Sequence, residues 1–462
     1  MQAKKWIAGA VVTLGLGALA IGAPRTQAQG GYTTLGVQNV IVISIDTLRA
    51  DHLGPYGNTR VKTPNFDKLA AESIVFENAF SAAPTTLPSH TSLMTGSYPH
   101  THGVSKNGDM VHPDNQMLAE ALLEGGFKTL GVSGAFPLNQ KFAFDQGFET
   151  YHSNVGDNAE VTDAVLKRTP QRAGSRMFLF IHYWDVHWPY APPAPFDTLY
   201  REDLMGLVGS MDELKEIRAG MHRGEADAFA RSEVMKDLYA GEVSWTDQQI
   251  GRLLEGLDKQ GLLDKSMLII TSDHGEAFDE HKDYWDHGPT TYNSVTHVPL
   301  IIRLPGGKGG GTRVSSLVSN IDVMPSILEV LNLSTAPRSE GVSFAPAFMG
   351  QSLPPRTAIY SEATKPEKPE YEDGQDWPNT LKCKGVWTAS WKYQSCPKIK
   401  MRELYTRADE TEQKDQLKAQ AGVSAQLEKS VQTWVATGDP LQGGKDESQD
   451  TIDALKALGY ME

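Results

Sequence analysis

Side chains that can bind a metal ion or attack an ester lie at three separate places in the chain. Asp46 lies in "IDTLRAD", Thr86 in "TTLPSH", and Asp273 and His274 in "TSDHGE". Two carboxylates and an imidazole can hold a divalent cation, and coordination to that ion makes a hydroxyl a better nucleophile. A site of this kind suits an anionic, tetrahedral group, because the metal also polarises the oxygens of that group.

The segment around Thr86, "APTTLPSHTSLMTG" at 83–96, starts with small and turn-forming residues. We predict a helix that begins at about Pro88. The unpaired N–H groups and the positive dipole end at the start of this helix would favour an anion beside Thr86. The alternative role for this threonine is to cap the helix, since threonine is a common N-cap residue.

Short apolar runs that are rich in β-branched residues alternate with helical stretches along the chain. The runs are "NVIVISID" at 39–46, "KTLGVSG" at 128–134, "RMFLFIHYWDVH" at 176–187, "SMLIITSDHGE" at 266–276 and "VPLIIRLPG" at 298–306. Continuous apolar runs of this length are typical of parallel strands covered on both faces. Their alternation with helices indicates an α/β sandwich.

Polar residues stand where three of these runs end: Asp46, then Asp185 with His187, then Asp273 with His274. In open α/β sheets, ligands bind outside the carboxyl ends of the strands. One such residue is more often a cap or a turn former than a ligand, but turn chemistry alone does not readily explain three strand ends of this kind. We therefore expect the site at this edge of the sheet.

Five blocks in this order resemble the sulfatase family of the alkaline phosphatase superfamily. They are "VIVISIDTLRADHLGPYG", "TPNFDKLAAESIVFENAF", "APTTLPSHTSLMTGSYPHTHGV", "YAGEVSWTDQQIGRLLEGL" and "IITSDHGEAFDEH". The later segment "ASWKYQSCPKIKMRELYTRADETEQKD" is similar to the C-terminal sheet region of the same family. The resemblance implies an alkaline-phosphatase-like α/β sandwich with a mostly parallel central sheet at 36–350. It also implies a smaller C-terminal α+β subdomain with an antiparallel sheet at 355–462.

The resemblance assigns roles by position. Asp46, Asp273 and His274 match the family's metal ligands, and Thr86 matches the nucleophile, which also contacts the metal.

Three histidines complete the expected catalytic set. His187 and His287 resemble the residues that flank the substrate oxygens in the family. The alternatives are that His187 packs in an aromatic-rich turn and that His287 caps a loop. His90 stands where an arginine is more usual, and we expect it to orient the Thr86 hydroxyl or the bound ester.

The chain also departs from the family pattern. Typical members oxidise a Cys or Ser to formylglycine, whereas oxidation of Thr86 would give a ketone, so formylglycine cannot form here. Thr47 stands where many members have a second Asp, and "GVSGAFPL" lacks the Lys and His of the usual GKWH block. A threonine ester must be cleaved by water at its central atom, which is easier to envisage for phosphorus than for sulfur.

We therefore predict a metal-dependent hydrolase that cleaves a sulfate ester or a phosphate-type ester of a small molecule or glycan. One divalent ion is expected; the imidazole favours zinc (Zn) or manganese (Mn), and calcium (Ca), the usual metal of the wider family, is the alternative. Three other functions remain open: a phosphodiesterase or phosphonate hydrolase, a phosphoethanolamine-transferase-like enzyme, and a non-catalytic binder of sulfated or phosphorylated glycans. The absence of basic residues that face the anionic group in typical family members favours the non-catalytic binder. The presence of the predicted metal ligands speaks against it.

The N-terminus has the layout of a secretory signal peptide. Lys4 and Lys5 precede an apolar stretch at 6–23, and "TQAQG" follows it. We expect cleavage after residue 28, which gives a periplasmic or secreted protein with no stable membrane insertion. An uncleaved membrane anchor is the alternative.

The cysteine content and the net charge of the chain bear on its disulfide bonding and on its partners. Cys383 and Cys396 are the only two cysteines, and in an oxidising compartment we expect them to form a disulfide rather than stay as two buried thiols. The net charge of -14, with no long basic run, disfavours a nucleic-acid partner.

Overall fold

The computed structural model describes residues 31–172, 174–202, 210–281, 285–364 and 377–458. The predicted signal peptide at 1–28 lies outside these residues. Within the described ranges, every helix is too short or too polar to cross a bilayer.

One large mixed sheet forms the centre of the described structure. Its order is β4-β3-β5-β1-β6-β8-β2-β7, with β9 paired to β2, and the first five strands in this order run parallel. The strands are β1 Asn39–Ile45, β2 Ile74–Phe80, β3 Lys128–Ser133, β4 Thr150–His152, β5 Met177–Tyr183, β6 Ser266–Ser272, β7 His297–Val298, β8 Leu300–Arg303 and β9 Thr312–Ser319. This confirms the predicted α/β class with a mostly parallel sheet.

One of the five apolar runs departs from the parallel arrangement. The run at 298–306 forms β8, which pairs antiparallel with β6 and with β2. Among the described residues between β6 and β8, the only helix is the one-turn helix Asn293–Thr296, which is too short for the crossover that parallel strands need. Strands β2 and β9 were not predicted, because their apolar runs are interrupted by polar residues.

Helices cover both faces of the large sheet. Alternate residues of β1 point to opposite sides: Val40 and Val42 pack with α2, α4 and α9, and Ile41 and Ile43 pack with α5, α6 and α7. The helices are α1 Pro64–Ala71, α2 Thr86–Thr95, α3 Pro99–His102, α4 Leu118–Glu124, α5 Asn158–Arg168, α6 Met211–Arg223, α7 Ala226–Lys259, α8 Asn293–Thr296, α9 Val323–Val330, α10 Ala421–Val435 and α11 Gln449–Ala457. Because β1 is buried on both faces, its carboxyl end is held rigidly.

A second, smaller sheet follows. It is fully antiparallel, in the order β10 Ile359–Glu362, β11 Lys384–Trp387, β12 Trp391–Cys396 and β13 Met401–Thr406. Helix α10 packs on it through Leu427 and Val431. This sheet matches the antiparallel C-terminal sheet that the sequence predicted, and the limits 36–350 and 355–462 stay predictions.

The predicted disulfide is present. Cys383 lies directly before β11 and Cys396 ends β12, so the bond closes the hairpin of these two antiparallel strands. Both residues are fully buried.

Reduction of this bond should destabilise the protein without any substitution in the sequence. In the chain-entropy model, a loop of this size contributes about 3 kcal/mol to the free energy of unfolding. Urea unfolding of the oxidised and the reduced protein, followed by tryptophan fluorescence, measures this difference. The double variant Cys383→Ala/Cys396→Ala is the control, since its unfolding should not respond to reductant. Two thiols titrated in the native, unreduced protein would contradict the bond.

Candidate active site

The ends of two neighbouring strands bring the predicted metal ligands together. Strands β1 and β6 pair in parallel with Ile45 opposite Ser272, so Asp46 and Asp273, the next residue on each strand, lie side by side. His274 Nε2 lies 3.3 Å from Asp273 Oδ2 and 3.7 Å from Asp46 Oδ1. All three side chains are fully buried.

Three polar atoms of this cluster have no hydrogen-bond partner within the described residues: Asp46 Oδ1, Asp273 Oδ2 and His274 Nε2. The neighbouring atoms are bonded. Asp273 Oδ1 accepts from the backbone N–H of Thr47 at 3.3 Å and of His274 at 2.9 Å. His274 Nδ1 contacts the Gly275 carbonyl at 2.9 Å and must donate to it, which leaves the lone pair of Nε2 directed at the two carboxylates. Two carboxylate oxygens and an imidazole nitrogen that converge in this way fit a divalent cation.

The electrostatics of the protein residues alone disfavour charge on this cluster. Burial, with the charge of Glu276, raises the pKa of Asp46 to about 8 against the opposing effect of His287. Burial and the charge of Asp46 hold the pKa of Asp273 well above its usual range. Burial and the charge of His287 hold the pKa of His274 far below its usual value. A bound cation would reverse this balance, because it stabilises ionised carboxylates and a neutral imidazole.

Thr86 lies against this cluster. Its Oγ1 donates to Asp46 Oδ2 at 3.5 Å, and the residue is fully buried. Thr86 is the first residue of α2, so the helix begins two residues earlier than predicted. Pro88 is tolerated there because it occupies the first turn, where its missing N–H has no helical partner to lose.

The structure assigns the N-cap position to Thr85, whose Oγ1 donates to the Pro84 carbonyl. Thr86 is therefore not the N-cap residue. The expectation of unpaired N–H groups is wrong at two positions of the first turn: the N–H of Leu87 donates to Asn107 Oδ1 at 2.8 Å, and Pro88 has none.

His90 ties the start of α2 to the sheet. Its Nδ1 bonds to the backbone oxygen of Thr86 at 2.7 Å, and its Nε2 bonds to Ser44 Oγ at 2.9 Å. A carbonyl only accepts, so Nδ1 carries the hydrogen and Nε2 accepts from the serine. The structure thus links His90 to the backbone of Thr86; a role toward its hydroxyl or the ester stays a prediction.

His187 and His287 both lie beside the cluster. The His287 ring centroid is 4.5 Å from that of His274 and 5.2 Å from that of His187. His187 also stacks on Trp184 at 4.0 Å, so its aromatic packing and its position at the site occur together. Burial disfavours a charged His287, but the charge of Glu276 and its contact with Nδ1 at 3.2 Å outweigh burial and raise the pKa of His287.

One polar strand-end residue does not join the site. Asp185 Oδ2 accepts from the backbone N–H of Asn158 at 2.7 Å, in the first turn of α5. Its side chain therefore satisfies a helix N-terminus, as a strand-end carboxylate commonly does.

Two residues at the site were missed in the sequence. His182 lies inside β5, and its Nε2 is 3.4 Å from Asp46 Oδ2, yet neither of its nitrogens has a hydrogen-bond partner in the described structure. The signal was a histidine within an otherwise apolar, buried run. Asn107 is buried near the start of α2, and its Nδ2 likewise has no described partner. It lies after α3, in a segment without a regular sequence pattern that would single it out.

Comparisons with known proteins identify the family of this chain. The family model described as Sulfatase matches residues 38–333, which is more than half of the chain. The chain belongs to the sulfatase family. This confirms the family to which the sequence blocks pointed.

Individual relatives are more distant. The chain is 26% identical over 337 residues to the iduronate 2-sulfatase of Homo sapiens, which covers 59% of this chain and 61% of that protein. The chain thus spans less than two thirds of that relative's length. It is 24% identical over 422 residues to an arylsulfatase of Clostridium perfringens, covering 76% of this chain and 85% of that protein. The structure of a phosphonate monoester hydrolase from Silicibacter pomeroyi superimposes with a TM-score of 0.71 at 22% identity, over 87% of this chain and 96% of that chain, and so shares the fold.

Substitution of Asp273 by Ala should abolish metal binding, because it removes one of the three candidate ligands that converge at this point. Elemental analysis of protein purified without chelators measures the bound metal. The matched control is Asp185→Asn, which changes a strand-end carboxylate at the same edge of the sheet and should retain the metal. Full metal content in Asp273→Ala would show that the ion binds elsewhere.

Proposed function

We propose that this protein is an exported, metal-dependent hydrolase that cleaves a sulfate or phosphate-type ester with Thr86 as the nucleophile. The observation that carries the proposal is the contact of Thr86 Oγ1 with Asp46, inside the cluster that Asp46 forms with Asp273 and His274. Family membership and two relatives named as sulfatases support a sulfate ester. Since one of these is named for iduronate, a sulfated glycan is included in the proposed substrate class.

The metal would be held by Asp46, Asp273 and His274, with Thr86 beside them. A divalent ion in this place supplies Lewis-acid polarisation of the ester oxygens and lowers the pKa of the hydroxyl. The imidazole ligand favours zinc or manganese over calcium.

The chain's own residues account for the bond changes. Thr86 Oγ1 attacks the sulfur or phosphorus, forms a threonine ester and displaces the organic part as an alcohol. The proton that this alcohol gains comes from His287, whose pKa is raised by Glu276, and the water of the next step returns a proton to His287. The Thr86 proton passes to Asp46 Oδ2, to which the hydroxyl donates, and returns when the hydroxyl is restored. Water then cleaves the threonine ester, restores the hydroxyl and releases sulfate or phosphate. His187, whose ring centroid is 5.2 Å from that of His287, would bind the oxygens of the transferred group.

A phosphorus ester is the second candidate, and Thr86 itself favours it. Formylglycine hydrate can release sulfate by elimination, whereas a threonine ester needs attack of water at the central atom. Phosphorus accepts such attack more readily than sulfur does. This difference between phosphorus and sulfur favours three alternatives that act on phosphorus: a phosphodiesterase, a phosphonate hydrolase and a phosphoethanolamine-transferase-like enzyme.

Export rests on two features: the signal-peptide layout at 1–28 and the disulfide between Cys383 and Cys396. A structural disulfide persists in oxidising compartments and is rare in the cytosol. We therefore propose a periplasmic or secreted location.

Thr86→Ala should remove turnover, by at least about 1,000-fold in kcat, because it deletes the nucleophile. The matched control is Thr91→Ala on the same helix, which loses a hydroxyl that donates to the Leu87 carbonyl at 2.7 Å. This control should lose about 1 kcal/mol of stability and keep its turnover. Metal content and thermal unfolding show that both variants are folded. Near-parental turnover by a folded, metal-loaded Thr86→Ala would rule out the covalent mechanism.

Aryl sulfates, aryl phosphate monoesters, phosphate diesters and phosphonate monoesters, each tested with zinc, manganese and calcium, separate the candidate functions. We expect turnover of at least one ester and the highest kcat/KM with zinc or manganese. A preference for phosphorus esters would select the second candidate. Tight binding of sulfated or phosphorylated glycans with no turnover of any ester would instead establish a non-catalytic binder.

A further inference from the structure

We infer that Thr47 is a positioning residue whose hydroxyl holds the turn that carries His187 beside the candidate metal site. The inference rests on the proposed function, in which His187 binds the oxygens of the transferred group. It gives a role to the position at which many family members have a second Asp.

Thr47 is bonded in three directions. Its backbone N–H donates to Asp273 Oδ1 at 3.3 Å, and its Oγ1 donates to the Val186 carbonyl at 2.9 Å. Its backbone oxygen accepts from the Tyr239 hydroxyl at 2.8 Å. Thr47 is fully buried, so bulk water does not compete for these bonds. This one residue therefore links a predicted metal ligand to the residue that precedes His187.

The bond from Thr47 acts on the peptide group next to His187. The Val186 carbonyl and the His187 N–H belong to one planar peptide unit. The carbonyl accepts from Thr47 Oγ1, and the N–H donates to the Trp184 carbonyl at 3.1 Å. Because both ends of this unit are bonded, its orientation is fixed, and so is the Cα atom that carries the imidazole.

The His187 ring is in turn held by its own turn. It stacks on Trp184 with 4.0 Å between the ring centroids, and its Nδ1 contacts the Trp188 carbonyl at 2.5 Å. Its partners in these two contacts both lie within three residues of it in the chain. A shift of the turn would therefore carry the imidazole with it.

Both residues joined by this bond have a strained backbone. The φ angle is 52° at Thr47 and 107° at Val186. Residues with a β-branched side chain rarely adopt a positive φ, and such a conformation persists only where the surrounding contacts enforce it. Loss of the Thr47 hydroxyl should let the turn relax and move His187.

An aspartate could not take over this bond. An ionised carboxylate only accepts hydrogen bonds, and so does the Val186 carbonyl, whereas the Thr47 hydroxyl can donate. The departure from the family pattern at this position therefore supplies a donor that the more usual residue lacks.

Thr47→Val tests the role of the hydroxyl. It keeps the β-branched shape and the backbone N–H that donates to Asp273. We expect parental metal content by elemental analysis, and a kcat/KM about 100-fold lower for the ester that the parent protein cleaves best. Thr47→Ser keeps a hydroxyl and should stay close to the parent in kcat/KM. Loss of the metal from Thr47→Val would overturn the proposal, because the hydroxyl would then act on the metal site.

A double-mutant cycle with His187→Ala shows whether Thr47 acts through His187. Once the imidazole is absent, Thr47→Val should lower kcat/KM by no more than about threefold. A merely structural hydroxyl would cause the same loss in both backgrounds, and equal losses would overturn the proposal. If Thr47→Val fails to fold, Thr47→Ala takes its place, since alanine tolerates a positive φ better than a β-branched residue does.

The matched control is Thr271→Val on β6, two residues before Asp273. The Thr271 side chain is also buried, and its Oγ1 donates to the backbone carbonyl of another segment, that of Pro299, at 2.8 Å. This variant should keep the parental kcat/KM. A loss as large as that of Thr47→Val would overturn the proposal, because the effect would then not be specific to the His187 turn.

NMR of the zinc-loaded full chain separates this inference from the proposed function. The imidazole cross-peaks of His187 in ¹H–¹⁵N spectra are assigned by their loss in His187→Ala. We expect them to shift or split in Thr47→Val and to stay unchanged in Thr271→Val. If the parent protein cleaves no ester, the proposed function fails, but shifted His187 cross-peaks would still support the role of Thr47. Ester turnover with unchanged His187 cross-peaks in Thr47→Val would keep the hydrolase and reject Thr47 as a positioning residue.

Discussion

The structure depends on two buried carboxylates placed side by side with no described cationic side chain bonded to them. Asp46 and Asp273 follow adjacent parallel strands, and each has one oxygen without a hydrogen-bond partner in the described chain. Each unpaired buried polar atom costs about 1–3 kcal/mol, and more if it is charged. A protein keeps such an arrangement when a ligand compensates for it. Burial raises the pKa of both carboxyls for the same reason, and a divalent cation would relieve this conflict.

The remainder of the site serves to hold Thr86 against this pair. Ser89, one turn into α2, donates its Oγ to the backbone oxygen of Asp273 at 2.7 Å. Asn320 donates its Nδ2 to the same hydroxyl at 2.9 Å, and His90 joins the helix start to β1. The helix that carries Thr86 is therefore bonded to β1 and to the residue that directly follows β6. The position of Thr86 is thus set by buried polar contacts, which tolerate little displacement.

The sequence predicted those features that leave a local pattern. Continuous apolar runs located β1, β3, β5 and β6, and the polar residues at their ends located Asp46, Asp273 and His274. Direction and pairing of strands depend on the connections, so the sequence located β8 but not its antiparallel direction. Strands β2 and β9 were missed because polar residues interrupt their apolar runs. His182 and Asn107 were missed because their position at the site arises only from the pairing of β5 with β1 and from the packing of α2.

The central claim is that Thr86 forms a covalent ester during turnover, and trapping that ester is the most direct test. The protein is mixed with an excess of an aryl sulfate or phosphate ester that it hydrolyses, quenched in acid during steady-state turnover, digested and analysed by mass spectrometry. We expect the peptide that contains Thr86 to gain the mass of one sulfuryl or phosphoryl group, with fragmentation placing it on Thr86. A modification on any other side chain of the site would contradict the account. So would water attacking the ester directly, detected as inversion at a phosphorus centre made chiral with oxygen isotopes.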